Sequence, residues 1–299
     1  MPTIGVRDTT LYYERTGHGP TLLFVHGMCA DANVWAGQVQ RLSDRFTCVT
    51  YDRRGHTRSG RGGEPESVPT HATDAAALIE ALGLRRPVVV GSSGGARIAV
   101  EVARTRPGLL AGAVFAEPPI FSLEPEAGQA FLAEIGAAVR PAADAGGPAA
   151  AVDAFFPLVC PGLWSQLDQR AKDRYRANGP MMLAEFAGPP YQLSPGDVAT
   201  ITLPSLVLAG TDSHPALRAI AATLSRALPD ARFVELDGAG HVTYAERPDG
   251  FARAVAAFVT EVTNRTRSAP PHPEATRGAG SALSVGSGFG PQAARSSEA

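Results

Sequence analysis

The segment GSSGG at residues 91–95 constrains the fold of this chain more than any other stretch. It follows the valines at 88–90, an apolar β-branched run typical of a strand buried on both faces. Residues 96–103 then favour a helix. A strand that turns into a helix so abruptly leaves room only for small residues. Because a glycine lies two residues to either side of Ser93, we predict that the Ser93 hydroxyl projects from this turn at a helix N-terminus.

The pattern Gly91-x-Ser93-x-Gly95, placed between a strand and a helix, resembles the nucleophile elbow of the α/β-hydrolase family. The resemblance implies an α/β fold with a mostly parallel central sheet, flanking helices and an inserted helical cap. It also implies that Ser93 is the catalytic nucleophile. Ser92 does not fit this role, since a motif centred on it would need glycine in place of Val90.

Composition indicates a globular chain that acts on small molecules. The 299 residues are 44% hydrophobic, enough to bury the core of one large domain with an inserted subdomain. The formal net charge of -2 gives no sign of the basic surface that nucleic acids or anionic membranes attract. We therefore expect a small-molecule substrate, with no nucleic acid and no membrane as partner. The sequence does not specify an oligomeric state.

Three cysteines, Cys29, Cys48 and Cys160, are too few and too scattered for a disulfide framework or for metal-ligand spacing. No signal-peptide pattern and no apolar run of membrane-spanning length are present in the sequence. We therefore expect a cytoplasmic protein. The resemblance implies chemistry that needs no metal ion and no organic cofactor.

Alternation of strand and helix patterns predicts the domain organisation. An antiparallel hairpin is expected over residues 3–15, where apolar and polar residues alternate. The α/β-hydrolase core is predicted to comprise residues 1–117 and 202–263, interrupted by a helical cap at 118–201 that is rich in Ala, Pro and aromatic residues. Residues 264–299 are dominated by Pro, Gly, Ser, Ala and Arg and predict a disordered tail.

A second motif that resembles the family follows the apolar strand at 21–25, where the sequence is His26-Gly27-Met28. In the family, a His-Gly pair here leads the loop whose backbone helps to bind the oxyanion of the reaction. The resemblance therefore assigns the oxyanion hole to the backbone N–H groups of Met28 and Gly94.

The segment 52–59, DRRGHTRS, is similar to the family's Asp-x-Arg-Gly-x-Gly-x-Ser turn, with Thr57 in place of the second glycine. We interpret it as structural, with Asp52 and Arg54 tying loops together near the site. His56 is the other histidine considered as a catalytic base, but the family places its base last in the chain.

His241 occupies that last position, in a Gly-His loop between the final strand and the final helix, and the resemblance assigns it as the base. Two residues compete to be the acid. Asp212 follows the strand after the cap, the usual family place, although the common Gly-x-x-Asp pattern from Gly210 would put the acid at 213. Glu117 ends the strand after the elbow helix, where some dehalogenase-like members carry their acid. We predict Asp212, with Glu117 as the alternative.

A serine at the elbow implies acyl chemistry, because the family's epoxide hydrolases and haloalkane dehalogenases carry aspartate there. We therefore predict an enzyme, a serine hydrolase that cleaves a carboxyl ester or lactone of a hydrophobic small molecule through an acyl-enzyme. Carbon–carbon bond hydrolysis, cofactor-free peroxidation and a biosynthetic tailoring reaction would use the same residues. A non-catalytic small-molecule binder that retains the pocket is the alternative from another class.

Overall fold

A single sheet organises the protein in the computed structural model, which describes residues 2–268. Within those residues the sheet has eight strands, in the spatial order β1-β2-β4-β3-β5-β6-β7-β8. The strands are β1 Thr3–Val6, β2 Thr9–Thr16, β3 Thr21–Val25, β4 Thr47–Tyr51, β5 Val88–Ser92, β6 Gly112–Ala116, β7 Ser205–Gly210 and β8 Ala231–Leu236. Strand β2 pairs antiparallel with β1 and β4, and all other pairs are parallel. The predicted hairpin and the mostly parallel sheet are confirmed.

Helices connect the parallel strands and form the segment between β6 and β7. They are α1 Ala36–Leu42, α2 Val68–Ala81, α3 Gly94–Thr105, α4 Pro125–Val159, α5 Pro161–Gln166, α6 Gln169–Ala177, α7 Gly179–Ala187, α8 Pro195–Ala199, α9 Pro215–Ala227, α10 Thr243–Glu246 and α11 Pro248–Ser268. The predicted elbow is the junction of β5 and α3.

Apolar composition favours the burial of the four strands β4, β5, β6 and β7 in the interior of the sheet. Every residue of β4, β5, β6 and β7 is buried, as expected for apolar strands covered on both faces. Strand β8 lies at the edge, and only its last residue, Leu236, is buried.

The carboxyl ends of the parallel strands bring the predicted site residues to one edge of the sheet. Ser93 follows β5, Glu117 follows β6, and His241 lies in the loop after β8. Strand β5 pairs with β6, β6 with β7, and β7 with β8. Three residues that are far apart in sequence therefore follow strands within one run of four, β5-β6-β7-β8.

The segment predicted as a cap contains helices α4 to α8 and no strand. Helix α4 is interrupted at Gly147, whose φ of 70° is the left-handed conformation that glycine adopts readily. Aromatic side chains hold the segment together: the Phe156 ring stacks on Trp164 with centroids 4.8 Å apart and meets Tyr175 edge-on at 4.7 Å. Cap and core segments belong to one compact unit.

The final helix extends into the predicted tail, since α11 runs to Ser268. The first residues of the predicted tail are therefore helical, and 269–299 lie outside the described residues. In the described part of the chain, no helix is both long enough and apolar enough to cross a membrane.

Candidate active site

Ser93 lies at the tip of a strained turn. Its backbone has φ 54° and ψ -122°, a conformation that non-glycine residues rarely adopt. The flanking glycines make the turn possible, because a Cβ on Gly91 would lie 2.2 Å from the carbonyl oxygen of Gly95, and one on Gly95 would lie 2.1 Å from that of Val25. Side chains at those two positions would therefore clash with backbone.

A chain of hydrogen bonds connects three side chains at this edge of the sheet. The Oγ of Ser93 lies 2.8 Å from Nε2 of His241. On the other side of the same ring, Nδ1 lies 3.1 Å from Oε2 of Glu117. His241 and Glu117 are buried and Ser93 is half-buried. With the ring proton on Nδ1, the imidazole donates to the carboxylate and accepts from the serine hydroxyl.

The Glu117 carboxylate is held on both oxygens. Its Oε1 accepts the backbone N–H of Gly210 at 2.7 Å, and its Oε2 accepts the hydroxyl of Ser213 at 2.6 Å. The backbone of Glu117 has a positive φ of 54°, which marks a second strained turn at the end of β6. The carboxylate is therefore fixed, fully buried, and directed at His241.

Asp212 is not brought to His241. Its side chain is exposed, and one of its carboxylate oxygens accepts the Thr211 hydroxyl at 3.2 Å. After β7 the turn directs Ser213 inward, where its side chain is buried, and Asp212 outward. Glu117 therefore forms the hydrogen bond to the imidazole that we predicted for Asp212. Ser213, which points inward, occupies the position where the Gly-x-x-Asp pattern would place the acid.

The two predicted oxyanion donors are close together. A Cβ built on Gly94 would lie 3.4 Å from the backbone nitrogen of Met28. Gly94 is the first residue of α3, so its N–H has no acceptor within the helix. His26 braces the loop, since its Nε2 accepts the backbone N–H of Arg53 at 2.9 Å and its Nδ1 lies 2.9 Å from the carbonyl oxygen of Gly27.

Residues 22–254 match the model of the alpha/beta hydrolase family. The chain belongs to the α/β-hydrolase family. The match covers the elbow, the segment between β6 and β7 and the His241 loop, so it includes every residue of the hydrogen-bonded chain. The family and fold inferred from the elbow are confirmed, and the chain is a hydrolase by its relatives.

Similar proteins match this α/β-hydrolase over most of its length. A putative carbamate hydrolase of Azorhizobium caulinodans is 28% identical over 276 residues, which are 88% of this chain and 99% of that protein. A 2-(acetamidomethylene)succinate hydrolase of Mesorhizobium japonicum is 29% identical over 266 residues, 86% of this chain and 94% of that protein. Among solved structures, an alpha/beta hydrolase of Sphaerobacter thermophilus is 27% identical, with a TM-score of 0.70 over 86% of this chain and 99% of that one.

The 52–59 loop of this α/β-hydrolase has the structural role that we predicted. The Asp52 carboxylate accepts the backbone N–H of Ala32 at 2.7 Å and Nε of Arg58 at 2.6 Å. Arg54 is buried and donates to Asp74 and Asp8. These bonds tie the loop after β4 to several other segments.

Thr57 adopts a positive φ of 41° at the position where the family's turn has glycine. A cap residue supports it: the side chain of Asn178 accepts the Thr57 backbone N–H at 3.0 Å and donates to the carbonyl oxygen of Cys29 at 3.1 Å. Asn178 is buried, so it connects the cap to both the 52–59 loop and the residue that follows Met28. Sequence reasoning missed this contact because it joins segments distant in the chain.

A buried charged cluster lies beneath the site. Arg53 forms an ion pair with Glu185, with Nη2 and Oε1 2.7 Å apart, and donates to Nε2 of His56 at 3.0 Å. Burial, and then the charge of Arg53, lower the pKa of His56 well below its usual value, and the same causes act on His26. Both histidines are therefore neutral at pH 7. Since His56 faces Arg53 and the Arg54 carbonyl, it takes no part in the Ser93 chain.

Three cavities meet at the site. Two small ones, each about 40 Å³, contact Ser93; one of them also contacts His241. A larger cavity of about 480 Å³ lies beside them and shares Arg97, Phe121, Leu132 and Phe186 with one of the small cavities. Cap aromatics therefore line the space next to Ser93, and Arg97, which the sequence analysis did not single out, lines it too. Its place four residues after Ser93 on a helix was the available signal.

No group of three or more His, Cys, Asp or Glu side chains within residues 2–268 is arranged to hold a metal ion. Cys29, Cys48 and Cys160 are free and buried. Burial raises the pKa of each thiol, which disfavours the reactive thiolate.

Proposed function

We propose that this α/β-hydrolase cleaves a carboxyl ester or lactone of a largely apolar small molecule through an acyl-enzyme. Ser93 is the nucleophile, His241 the general base and Glu117 the acid that orients it. The observation that supports this assignment is the continuous hydrogen-bonded chain from Ser93 Oγ through both ring nitrogens of His241 to the buried carboxylate.

In this mechanism Ser93 Oγ attacks the substrate carbonyl while Nε2 of His241 takes the hydroxyl proton. Glu117 holds the proton on Nδ1 and stabilises the imidazolium that forms. Collapse of the tetrahedral intermediate expels the alkoxide, which receives the proton from Nε2. A water molecule then attacks the acyl carbon while Nε2 of His241 takes one of its protons. Collapse of the second tetrahedral intermediate releases the carboxylic acid, and Nε2 returns the proton to Ser93 Oγ.

The N–H groups of Met28 and Gly94 bind the oxyanion. They lie next to each other at the mouth of the Ser93 turn, where donors need no rearrangement as charge develops. One such donor is typically worth about 3 kcal/mol of transition-state stabilisation.

The proposed substrate is a small molecule because the cavities beside Ser93 are small and lined by aromatic residues of the proposed cap such as Phe155 and Phe186. We retain the proposed division into a core of residues 1–117 and 202–263 and a cap of 118–201 that covers the site. The proposal includes a cytoplasmic location, which the three free cysteines support.

Hydrolysis of a carbamate or amide bond is a second candidate. It is favoured by the name of one full-length relative, a putative carbamate hydrolase, and by an acetamido group in the substrate that names the other, a 2-(acetamidomethylene)succinate hydrolase. The same triad serves both reactions, since each begins with attack on a carbonyl carbon.

A fluorophosphonate probe tests the nucleophile. Intact-mass analysis should show one adduct on the wild-type protein and on Ser92→Ala, and none on Ser93→Ala. In parallel, para-nitrophenyl esters, lactones and carbamates should be turned over by the wild type, with kcat lower by about 10^4-fold or more in Ser93→Ala. Labelling that survives Ser93→Ala and disappears in Ser92→Ala would overturn the assignment.

A further inference from the structure

Arg97 lies on the first turn of α3 and faces the space beside Ser93. Its side chain lines both the small cavity that contacts Ser93 and the large cavity of about 480 Å³. Among the described residues that line the two cavities touching Ser93, it is the only side chain with a permanent charge. A ligand in the apolar space next to the nucleophile would therefore meet one guanidinium.

The hydrogen-bonding capacity of Arg97 is largely unused. Its ion-pair partner is Glu185, at 3.5 Å, and its Nε is buried with no hydrogen-bond partner in the described chain. Arg54 shows the usual outcome for a buried arginine, since it donates from Nε and both terminal nitrogens to Asp74, Asp8 and a backbone carbonyl. The Arg97 side chain is instead 17% exposed, and its buried Nε lacks an acceptor, which is costly. A ligand in the cavity that accepts from this guanidinium would therefore be favoured.

Glu185 meets that need only in part, because its Oε2 lies 3.5 Å from Arg97 Nη2 without forming a hydrogen bond, and Arg97 Nε has no acceptor among the described residues. The Oε1 atom of Glu185 lies 2.7 Å from Arg53 Nη2, whereas its Oε2 has no hydrogen-bond partner in the described residues. Burial raises the pKa of Glu185, but the charges of Arg53 and Arg97 outweigh it and lower the pKa to about 2. Glu66, the other acid in the wall of the large cavity, faces His71 at 2.9 Å.

Arg97 is also close to the proposed oxyanion donors. A Cβ on Gly94 would lie 3.4 Å from Met28 N, 3.7 Å from Arg97 Nη2 and 3.8 Å from Arg53 Nη1. The missing side chain at Gly94 leaves room for these guanidinium groups. A charged group held by Arg97 would therefore lie only a few bonds from a carbonyl in the oxyanion hole.

We propose that Arg97 binds a carboxylate on the acyl part of the substrate, so that the preferred substrates are esters or lactones of acids that carry a second, anionic group. The inference rests on the proposed function for the reaction and adds the recognition element. A guanidinium with free donors suits a carboxylate, since the two can form paired, charge-assisted hydrogen bonds. Apart from Ser93, the rest of the lining of the small cavity is apolar or glycine and would hold the carbon chain.

The test compares two para-nitrophenyl esters of equal chain length, the hydrogen adipate and the neutral hexanoate, after subtraction of spontaneous hydrolysis. The ratio of their kcat/KM values should favour the adipate in the wild type. In Arg97→Met this ratio should fall at least about tenfold, and in Arg97→Lys it should fall less, because a charge-assisted hydrogen bond typically contributes that much. Arg104→Met, on the same helix but paired with Glu101, is the matched control and should leave the ratio unchanged.

Glu185→Gln distinguishes an effect on recognition from a general loss of folding. It removes the carboxylate that competes with the substrate for Arg97, so it should raise the adipate preference, whereas misfolding would not. Calorimetric titration of adipate into Ser93→Ala, with and without Arg97→Met, measures binding without turnover, and the second change should weaken it at least tenfold. If the wild type cleaves neither ester but adipate binding depends on Arg97, ester hydrolysis fails and the anion site stands. If both esters are cleaved while neither the ratio nor adipate binding responds to Arg97→Met, the anion site is refuted and ester hydrolysis stands.

Discussion

Replacement of Glu117 by glutamine changes one atom of the carboxylate and should nearly abolish catalysis. The native group accepts three hydrogen bonds, from His241 Nδ1 at 3.1 Å, Ser213 Oγ at 2.6 Å and Gly210 N at 2.7 Å. If the amide oxygen of Gln stays on Gly210, its NH2 faces His241, and the ring proton must move to Nε2, where it blocks proton transfer from Ser93. If the amide turns round, its NH2 faces the Gly210 N–H, at a cost of about 1–3 kcal/mol.

The first arrangement excludes the reactive tautomer, and the second retains it only at that cost. We therefore expect Glu117→Gln to lower kcat by about 10^3- to 10^4-fold, the loss typical of an orienting acid whose charge is removed, or about 4–5.5 kcal/mol in activation free energy. The near-equal size of the two side chains should preserve packing, which a circular-dichroism melt would check.

Asp212→Asn is the matched control, because Asp212 is exposed and has no contact with the imidazole. Its kcat on the best ester should stay within about threefold of wild type, within the range of a surface change. Near-normal activity of Glu117→Gln beside an inactive Asp212→Asn would refute the reasoning and restore the acid predicted from sequence.

Two further predictions concern stability. Because burial holds the pKa values of His26 and His56 well below the usual 6.5 in the folded state, the unfolded chain binds more protons as the pH falls. The free energy of unfolding from urea titrations should therefore fall between pH 7 and 5.5, by up to about 2.5 kcal/mol from these two groups, the limit for histidines that stay neutral in the fold. About half of that drop should be missing in His56→Gln, and an equal drop in both proteins would contradict the assignment. Gly95→Ala should unfold the elbow or lower the free energy of unfolding by more than about 3 kcal/mol, since its Cβ would lie 2.1 Å from the Val25 carbonyl oxygen. Gly108→Ala is the control: its Cβ would have nothing within 4 Å, so a thermal melt should show a near-neutral change.

The elbow could be predicted from sequence because its requirements are local. Strand β5 needs apolar residues, and the turn needs glycine at 91 and 95 because backbone atoms lie within 2.2 Å of any added Cβ there. The same holds for the position of His241, which follows the last strand in a short loop. Residue type, spacing and order carried this information, and with it the family and the fold.

The identity of the acid next to His241 was decided by tertiary structure. Glu117 and Asp212 follow adjacent strands, β6 and β7, so both are delivered to the same edge of the sheet. Which of them faces the imidazole depends on the direction of two short turns, one with Glu117 at φ 54° and the other with Ser213 buried and Asp212 exposed. No sequence periodicity encodes the direction of a side chain in such a turn.

Contacts between distant segments likewise could not be predicted from the sequence. Asn178, in the segment between β6 and β7, contacts the loops at 29 and 57, and Arg97 lines the cavities together with residues of the same segment such as Phe121 and Phe186. The strands, the elbow and the chain order of serine and histidine depend on neighbouring residues, so they could be predicted from the sequence. The acid, the charged group and the residues of the 118–201 segment that surround Ser93 depend on how separate segments pack around one point, so only the folded structure reveals them.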